Sequence, residues 1–135
     1  MSNELERYLS VFTAKATEAG LPVRNTGSNW CPLAPLTKGS HVSLSVAKNQ
    51  IQVNLNNEDD ADRSKFEGLH ADRDTVETEV GEGLTWEKKD GRKKTAVRAT
   101  FDAGYEAPVS TWSAQHDWAI AMMQRFQASF GSRLA

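Results

Sequence analysis

Residues 42–56 read Val42-Ser43-Leu44-Ser45-Val46-Ala47-Lys48-Asn49-Gln50-Ile51-Gln52-Val53-Asn54-Leu55-Asn56. Val42, Leu44 and Val46 alternate with small hydroxyl residues. Ile51, Val53 and Leu55 alternate with amides. A period of two places successive side chains on opposite faces of a strand. Ala47 to Gln50 joins the two runs as a tight turn, with Asn49 able to take positive φ. The stretch is therefore a β-hairpin with one apolar face and one face of small polar groups.

The pattern on either side changes period. Leu5, Tyr8, Leu9, Phe12, Ala16 and Ala19 follow helical spacing, and Gly20 and Pro22 stop the run. This predicts a first helix over residues 3–19, capped by Ser2 or Asn3, with Glu4 and Glu6 suiting its dipole. Residues 21–29 read as loop. Trp30–Leu36 reads as a short edge strand, because Pro32 and Pro35 cannot donate ladder bonds. After the hairpin, Asn57 to Asp60 cap a second helix whose inner stripe is Phe66, Leu69, Arg73, Val76 and Val80. Gly81 and Gly83 end it. Leu84–Lys88 and Thr95–Phe101 are strands, joined by a turn at Lys89-Asp90-Gly91-Arg92. Ser110 or Thr111 caps a last helix with the stripe Trp112, Gln115, Ala119, Met122, Met123, Phe126 and Phe130, terminated by Gly131. The order is α-β-β-β-α-β-β-α. Hairpins dominate it, so the expectation is one α+β domain over residues 1–135, with a mostly antiparallel sheet and its helices packed on one face. The connection through the second helix leaves room for one parallel pair.

A chain of 135 residues can bury a core without disulfides or metals. One cysteine, Cys31, excludes an internal disulfide, and with three scattered histidines (His41, His70, His116) it makes no zinc signature. Cys31 reads as a small buried apolar residue. The N-terminus has neither the basic start nor the apolar run of a signal peptide, and no segment reaches the length of a membrane span. The expected location is the cytoplasm.

Charge is segregated. Residues 58–82 hold ten acids and three bases, a net −7, whereas residues 83–98 hold six bases and two acids, a net +4. Such runs are ordinarily solvated faces. The alternative is that the basic hairpin of Lys88, Arg92, Lys93, Lys94 and Arg98, with Trp86 beside it, docks an acidic partner. Phosphate contacts plus an aromatic platform are the ingredients of a nucleic-acid site. The acidic helix next to it would repel a long polyanion, which favours a protein partner or a short contact.

Signatures of catalysis are missing. There is no phosphate-binding loop, nucleophile elbow, zinc-protease or calcium-loop motif, and Gly81-Glu82-Gly83 follows a helix where a dinucleotide fingerprint would precede one. No catalytic, metal or cofactor residue is assigned. The opening order α-β-β-β-α-β is also that of the restriction-endonuclease-like core, which needs acids on its second and third strands to hold magnesium. Here Gln52, Asn54 and Asn56 stand where acids would be required.

The pattern resembles the family called domain of unknown function 4268. The features are the N-terminal amphipathic helix, Asn29-Trp30 before the sheet, and the short hairpin. Then come Phe66, Leu69 and Arg73 running into Glu77, Glu79, Gly81, Leu84, Trp86 and Glu87, a strand with Arg98, and a last helix with Trp118, Phe126 and Phe130. The resemblance implies an association with nuclease-like domains, and so with nucleic-acid processing or defence against foreign DNA. It brings no catalytic residues.

Two residues have a double reading. Arg73 sits on an apolar stripe, either covering the core edge and pairing with a carboxylate such as Glu77, or aimed into a groove with Trp86 or Trp30. Trp118 lies off the last helix's stripe, where an exposed indole would mark an interface. The expected function is a non-enzymatic binding module using strands 84–101, Arg73 and Trp118, with a protein as first partner and nucleic acid as second. The alternatives are a degenerate nuclease-like domain that binds nucleic acid, and a small-ligand enzyme working from Ser43, Ser45, Gln52 and Asn54. A homodimer through the edge near Trp30–Leu36 is a further option, against which the prolines argue.

Overall fold

A computed structural model describes residues 3–89 and 91–134 of the protein. The Ser2 cap and the Asp90 position of the second hairpin turn lie outside the described residues. Helix α1 spans Asn3–Glu18, β1 Trp30–Pro32, β2 Ser40–Val46, β3 Ile51–Asn57, α2 Ser64–Ala71, α3 Arg73–Val80, β4 Thr85–Glu87, β5 Thr95–Phe101 and α4 Trp112–Leu134, with a short 3-10 turn at Val109–Thr111. The five strands form one antiparallel sheet in the order β1-β2-β3-β5-β4. The hairpin is as expected: Val42 faces Leu55, Leu44 faces Val53 and Val46 faces Ile51. The parallel pair did not form, because β5 inserts between β3 and β4 and runs antiparallel to both.

Burial explains why the sheet has two unlike faces. Val42, Leu44, Ile51, Val53, Leu55 and Val97 are all fully buried and share one face. Onto it pack Tyr8 and Phe12 of α1, Val76 and Val80 of α3, and Met122, Met123, Phe126 and Phe130 of α4. Each buried aliphatic side chain stabilises by about 1.5–3 kcal/mol relative to exposure, so this layer dominates the fold.

The structure corrects the helix boundaries. The stretch read as one helix is two, broken at Asp72, which leaves helical geometry at φ −105° and ψ 20°. An unbroken helix would carry Arg73 into the middle of the apolar stripe. The break leaves Phe66, Leu69, Val76 and Val80 buried and turns Arg73 out to solvent. Gly131 does not terminate α4, which runs on to Leu134. Its last turn is held by Arg133, whose guanidinium bonds Asp72 and Glu79 at 2.8 Å each. These bonds, with the Ser129 hydroxyl, hold the Glu79 carboxyl down at about 2, the Arg133 hydrogen bond being the largest cause.

His116 is a core residue the sequence did not mark. It is 1% exposed, with its ring edge-on to Tyr8 at 4.5 Å and to Phe12 at 5.5 Å, and neither ring nitrogen has a hydrogen-bond partner among the described residues. Burial favours the neutral form and lowers its pKa to about 4, with Lys15 adding to the shift and Asp117 opposing it. Below the ordinary value of 6.5 the unfolded chain takes up a proton that the folded chain refuses. Stability is therefore full above that value and falls towards pH 4, by at most about 1.4 kcal/mol per pH unit. Urea unfolding at stepped pH should show this loss in the wild type and not in His116→Phe; equal slopes in the two would refute it. Glu79 contributes in a lower window, between the ordinary carboxylate value and about 2.

Candidate binding surface

The helices leave the second face of the sheet bare. Strand register arranges it in three rows. Trp30, Ser45, Gln52 and Thr100 form the first, Pro32, Ser43, Asn54, Arg98 and Thr85 the second, and His41, Asn56, Ala96 and Glu87 the third. These are the residues that alternate with the core positions, so the pleat alone puts them here.

Their side chains bond to one another. Asn54, 1% exposed, donates its amide to Ser45 Oγ at 3.0 Å and to Ser43 Oγ at 3.4 Å. Its amide oxygen accepts from Arg98 Nη1, and Arg98 Nε donates to Glu87 Oε1 at 2.7 Å. Asn56 donates to Ser43 Oγ at 2.9 Å and Gln52 to Thr100 Oγ1 at 3.2 Å. The Arg98–Glu87 pair is half shielded, so it is worth more than an open surface ion pair. The result is a flat, nearly neutral layer whose side chains have already lost their rotamer freedom. Trp30, 39% exposed, stands at its rim edge-on to His41, and beyond it a cleft of about 660 Å³ runs past Arg24, Pro32 and Pro35.

The candidate residues named from sequence do not converge on one point. Arg98 lies on the bare face. Trp86 lies on the opposite face, its ring edge-on to His70 at 5.3 Å and Phe66 at 6.2 Å, with Nε1 donating to Glu77 Oε2 at 3.1 Å. The same oxygen takes the Leu84 N–H, and that bond is the chief reason the Glu77 carboxyl titrates below the usual range. Lys88 is paired with Glu67 at 2.9 Å above the Phe66 ring. Arg73 is exposed, beside His70 at 3.2 Å and Asp74 at 3.7 Å, and not beside Trp30. Trp118 is half-buried against Phe101 and donates to Glu82 at 3.2 Å. Arg92, Lys93 and Lys94 project from an exposed loop. That loop is pinned through its backbone: Asp60 N–H donates to the Lys93 carbonyl at 2.6 Å and Arg63 Nη2 to the Lys89 carbonyl at 2.8 Å.

The alternation in the sequence places Ser43, Ser45, Gln52, Asn54 and Asn56 on this outer face, and does not show that Glu87 joins it. Only the β4–β5 register, which sets Thr85 opposite Arg98 and Glu87 opposite Ala96, brings Glu87 within reach. Cys31 is fully buried, and burial pushes its thiol up to about 11, away from the thiolate a nucleophile needs. Among the described residues no three His, Cys, Asp or Glu come together to hold a metal ion, and no helix is long and apolar enough to cross a membrane.

Fold and surface together define a single-domain α+β protein, helices on one side of an antiparallel sheet and a polar face on the other. The chain belongs to the family described as Domain of unknown function (DUF4268), whose model matches residues 6–134. Solved structures similar to it include that of YbjN from E. coli, described as "a putative transcription regulator". The identity is 15%, over 90% of this chain and 91% of that one, with a TM-score of 0.45. So distant a likeness carries no functional argument. No curated protein matches the chain.

Proposed function

We propose that the chain is a binding module that docks a protein partner on the bare face of its sheet. The observation that carries this reading is the internally bonded layer around Asn54, with Trp30 exposed at its rim. A surface already ordered loses little entropy on association. A rim tryptophan over a cleft is the residue type that most often anchors an interface. The face is close to neutral because Arg98 is matched by Glu87, which suits a protein surface better than a polyanion.

Affinity capture from cell extract tests it. A protein should be retained by the wild type and by Glu18→Arg on α1, and lost from Ser45→Arg/Gln52→Arg. Trp30→Ala should weaken its binding by about tenfold or more. Retention by all four forms alike would sink the proposal. A second reading rests on Arg92, Lys93 and Lys94, whose exposed side chains have no ion-pair partner among the described residues. If the retained species is nucleic acid, lost from Lys93→Glu/Lys94→Glu and falling steeply with salt through counterion release, that reading replaces the first. Roles in nucleic-acid processing or in defence against foreign DNA belong to it.

A further inference from the structure

The two edges of the sheet are not alike. Beside β1 the preceding loop folds back and takes up the strand's free groups. Arg24 N–H donates to the Pro32 carbonyl at 2.8 Å, Gly27 N–H to the Trp30 carbonyl at 3.0 Å, and Val23 bridges Leu33. The edge near Trp30–Leu36, a dimer option against which its prolines argue, is thus also taken up by backbone pairing. At β4 the case is opposite. Among the described residues, nothing outside the β4–β5 ladder bonds to the backbone of Thr85, Trp86 or Glu87.

Charge along this open edge is polar in the direction of the chain. Acidic α3 precedes β4, with Asp74 in its first turn almost fully exposed beside Arg73, and Glu82 just past its last turn, partly buried and accepting the Trp118 Nε1–H. The loop carrying Lys89, Arg92, Lys93 and Lys94 follows it. If two copies of β4 pair antiparallel about a two-fold axis, the segment after one strand runs beside the segment before the other. Each basic loop then faces the partner's acidic helix end, twice over. Parallel pairing would set like charges together. The half-buried Trp86 and His70 lie at the same edge and supply its apolar centre.

We infer that the protein associates with a second copy of itself through β4, antiparallel, extending the sheet across a two-fold axis. An isologous contact needs one patch complementary to itself, and an acidic helix beside a basic loop across an open strand is such a patch. The inference does not depend on the bare face being a docking surface, although pairing would make the two bare faces one continuous surface.

Sedimentation equilibrium of the whole chain tests it. At concentrations on the order of 100 µM and low salt the mass should approach that of two chains. The dissociation constant should rise about tenfold or more at high salt, where screening acts within ~4 Å. Lys89→Glu/Lys93→Glu should be monomeric, and so should Asp74→Lys/Glu82→Lys. Mixed one to one, they should restore a dimer, because every changed contact is again opposite in sign. Asp74 and Lys93 are exposed, whereas Lys89 and Glu82 are partly buried and Glu82 accepts the Trp118 Nε1–H, so circular dichroism and thermal melts establish that both variants fold. A wild type that stays monomeric would mean that the short strand and its flanking lysines blunt the edge, and the inference fails. It fails equally if a dimer ignores the charge changes or if the mixture stays monomeric.

Discussion

Asp60→Ala is expected to lower the free energy of unfolding by about 3–4 kcal/mol. The carboxylate is 1% exposed. Its Oδ1 accepts the Lys65 N–H at 3.0 Å; its Oδ2 accepts the Phe66 N–H at 3.0 Å and the Thr95 hydroxyl at 2.7 Å. Two of those donors are free N–H groups in the first turn of α2, where a negative charge also meets the positive end of the helix dipole. The third begins a buried chain: Asn57 Nδ2 donates to Thr95 Oγ1, Ser40 Oγ to Asn57 Oδ1, and Lys65 Nζ to Ser40 Oγ. Alanine strands three donors in a site that water cannot readily enter, and charge-assisted bonds contribute about 1.5–3 kcal/mol each. Asp60→Asn should recover only part of the loss, because both oxygens are in use and an amide offers one. A fall in the melting temperature of about 10–15 °C is expected for the alanine variant. Urea unfolding that shows a change below about 1 kcal/mol would refute the account.

The same residue shows how far the sequence could be read. Asn57 to Asp60 was legible as a cap, since acids and amides before an apolar helical stripe are a local signal. That Asp60 acts from outside the first turn, with Arg63 at φ 64° between it and the helix, was not. The two long hairpin strands and β5 were legible because a period of two is strict and one face is wholly buried. The break at Asp72 was not. Phe66, Leu69, Val76 and Val80 stay in phase through it, and only the burial of Arg73 in a continuous helix would have argued against one. Gly131 misled for a related reason: a glycine is a common stop, but Arg133 holds the next turn by bonding Asp72 at the α2–α3 break, Glu79 of α3 and the Ser129 carbonyl of its own helix. Among the candidate site residues, Trp86 and Arg98 are close in sequence yet lie on opposite faces of the sheet. Their assignment depends on strand register, which a single chain does not declare. The polar face was visible as alternate Ser, Gln and Asn residues, and its bonding to Arg98 and Glu87 required the neighbouring strands.

Gly104→Ala should be destabilising by about 3 kcal/mol or more, although alanine is normally the milder residue. The loop after β5 lies against the β2–β3 turn. Tyr105 N–H donates to the Ala47 carbonyl at 3.2 Å and Glu106 N–H to the Lys48 carbonyl at 3.1 Å. A Cβ on Gly104 would stand 2.0 Å from the Ala47 oxygen and 2.5 Å from the Lys48 oxygen. Both are backbone atoms of a tight turn and have no flexible end to swing away. The loop must lift, and in lifting it breaks those two bonds. It also withdraws the Gly104 carbonyl from Gln115 Nε2, at 3.0 Å, whose Oε1 takes the buried Tyr8 hydroxyl at 2.7 Å. The disturbance thus travels from a surface turn to the contact between α1 and α4. Gly68→Ala is the control. Gly68 lies inside α2, where a Cβ meets nothing within 4 Å. There the same change should stabilise by about 0.5–1 kcal/mol through helix propensity. Opposite signs in denaturant titration at the two glycines would tie the loss at Gly104 to close backbone approach. A neutral Gly104→Ala would show that the loop and the turn are not held together as their hydrogen bonds indicate.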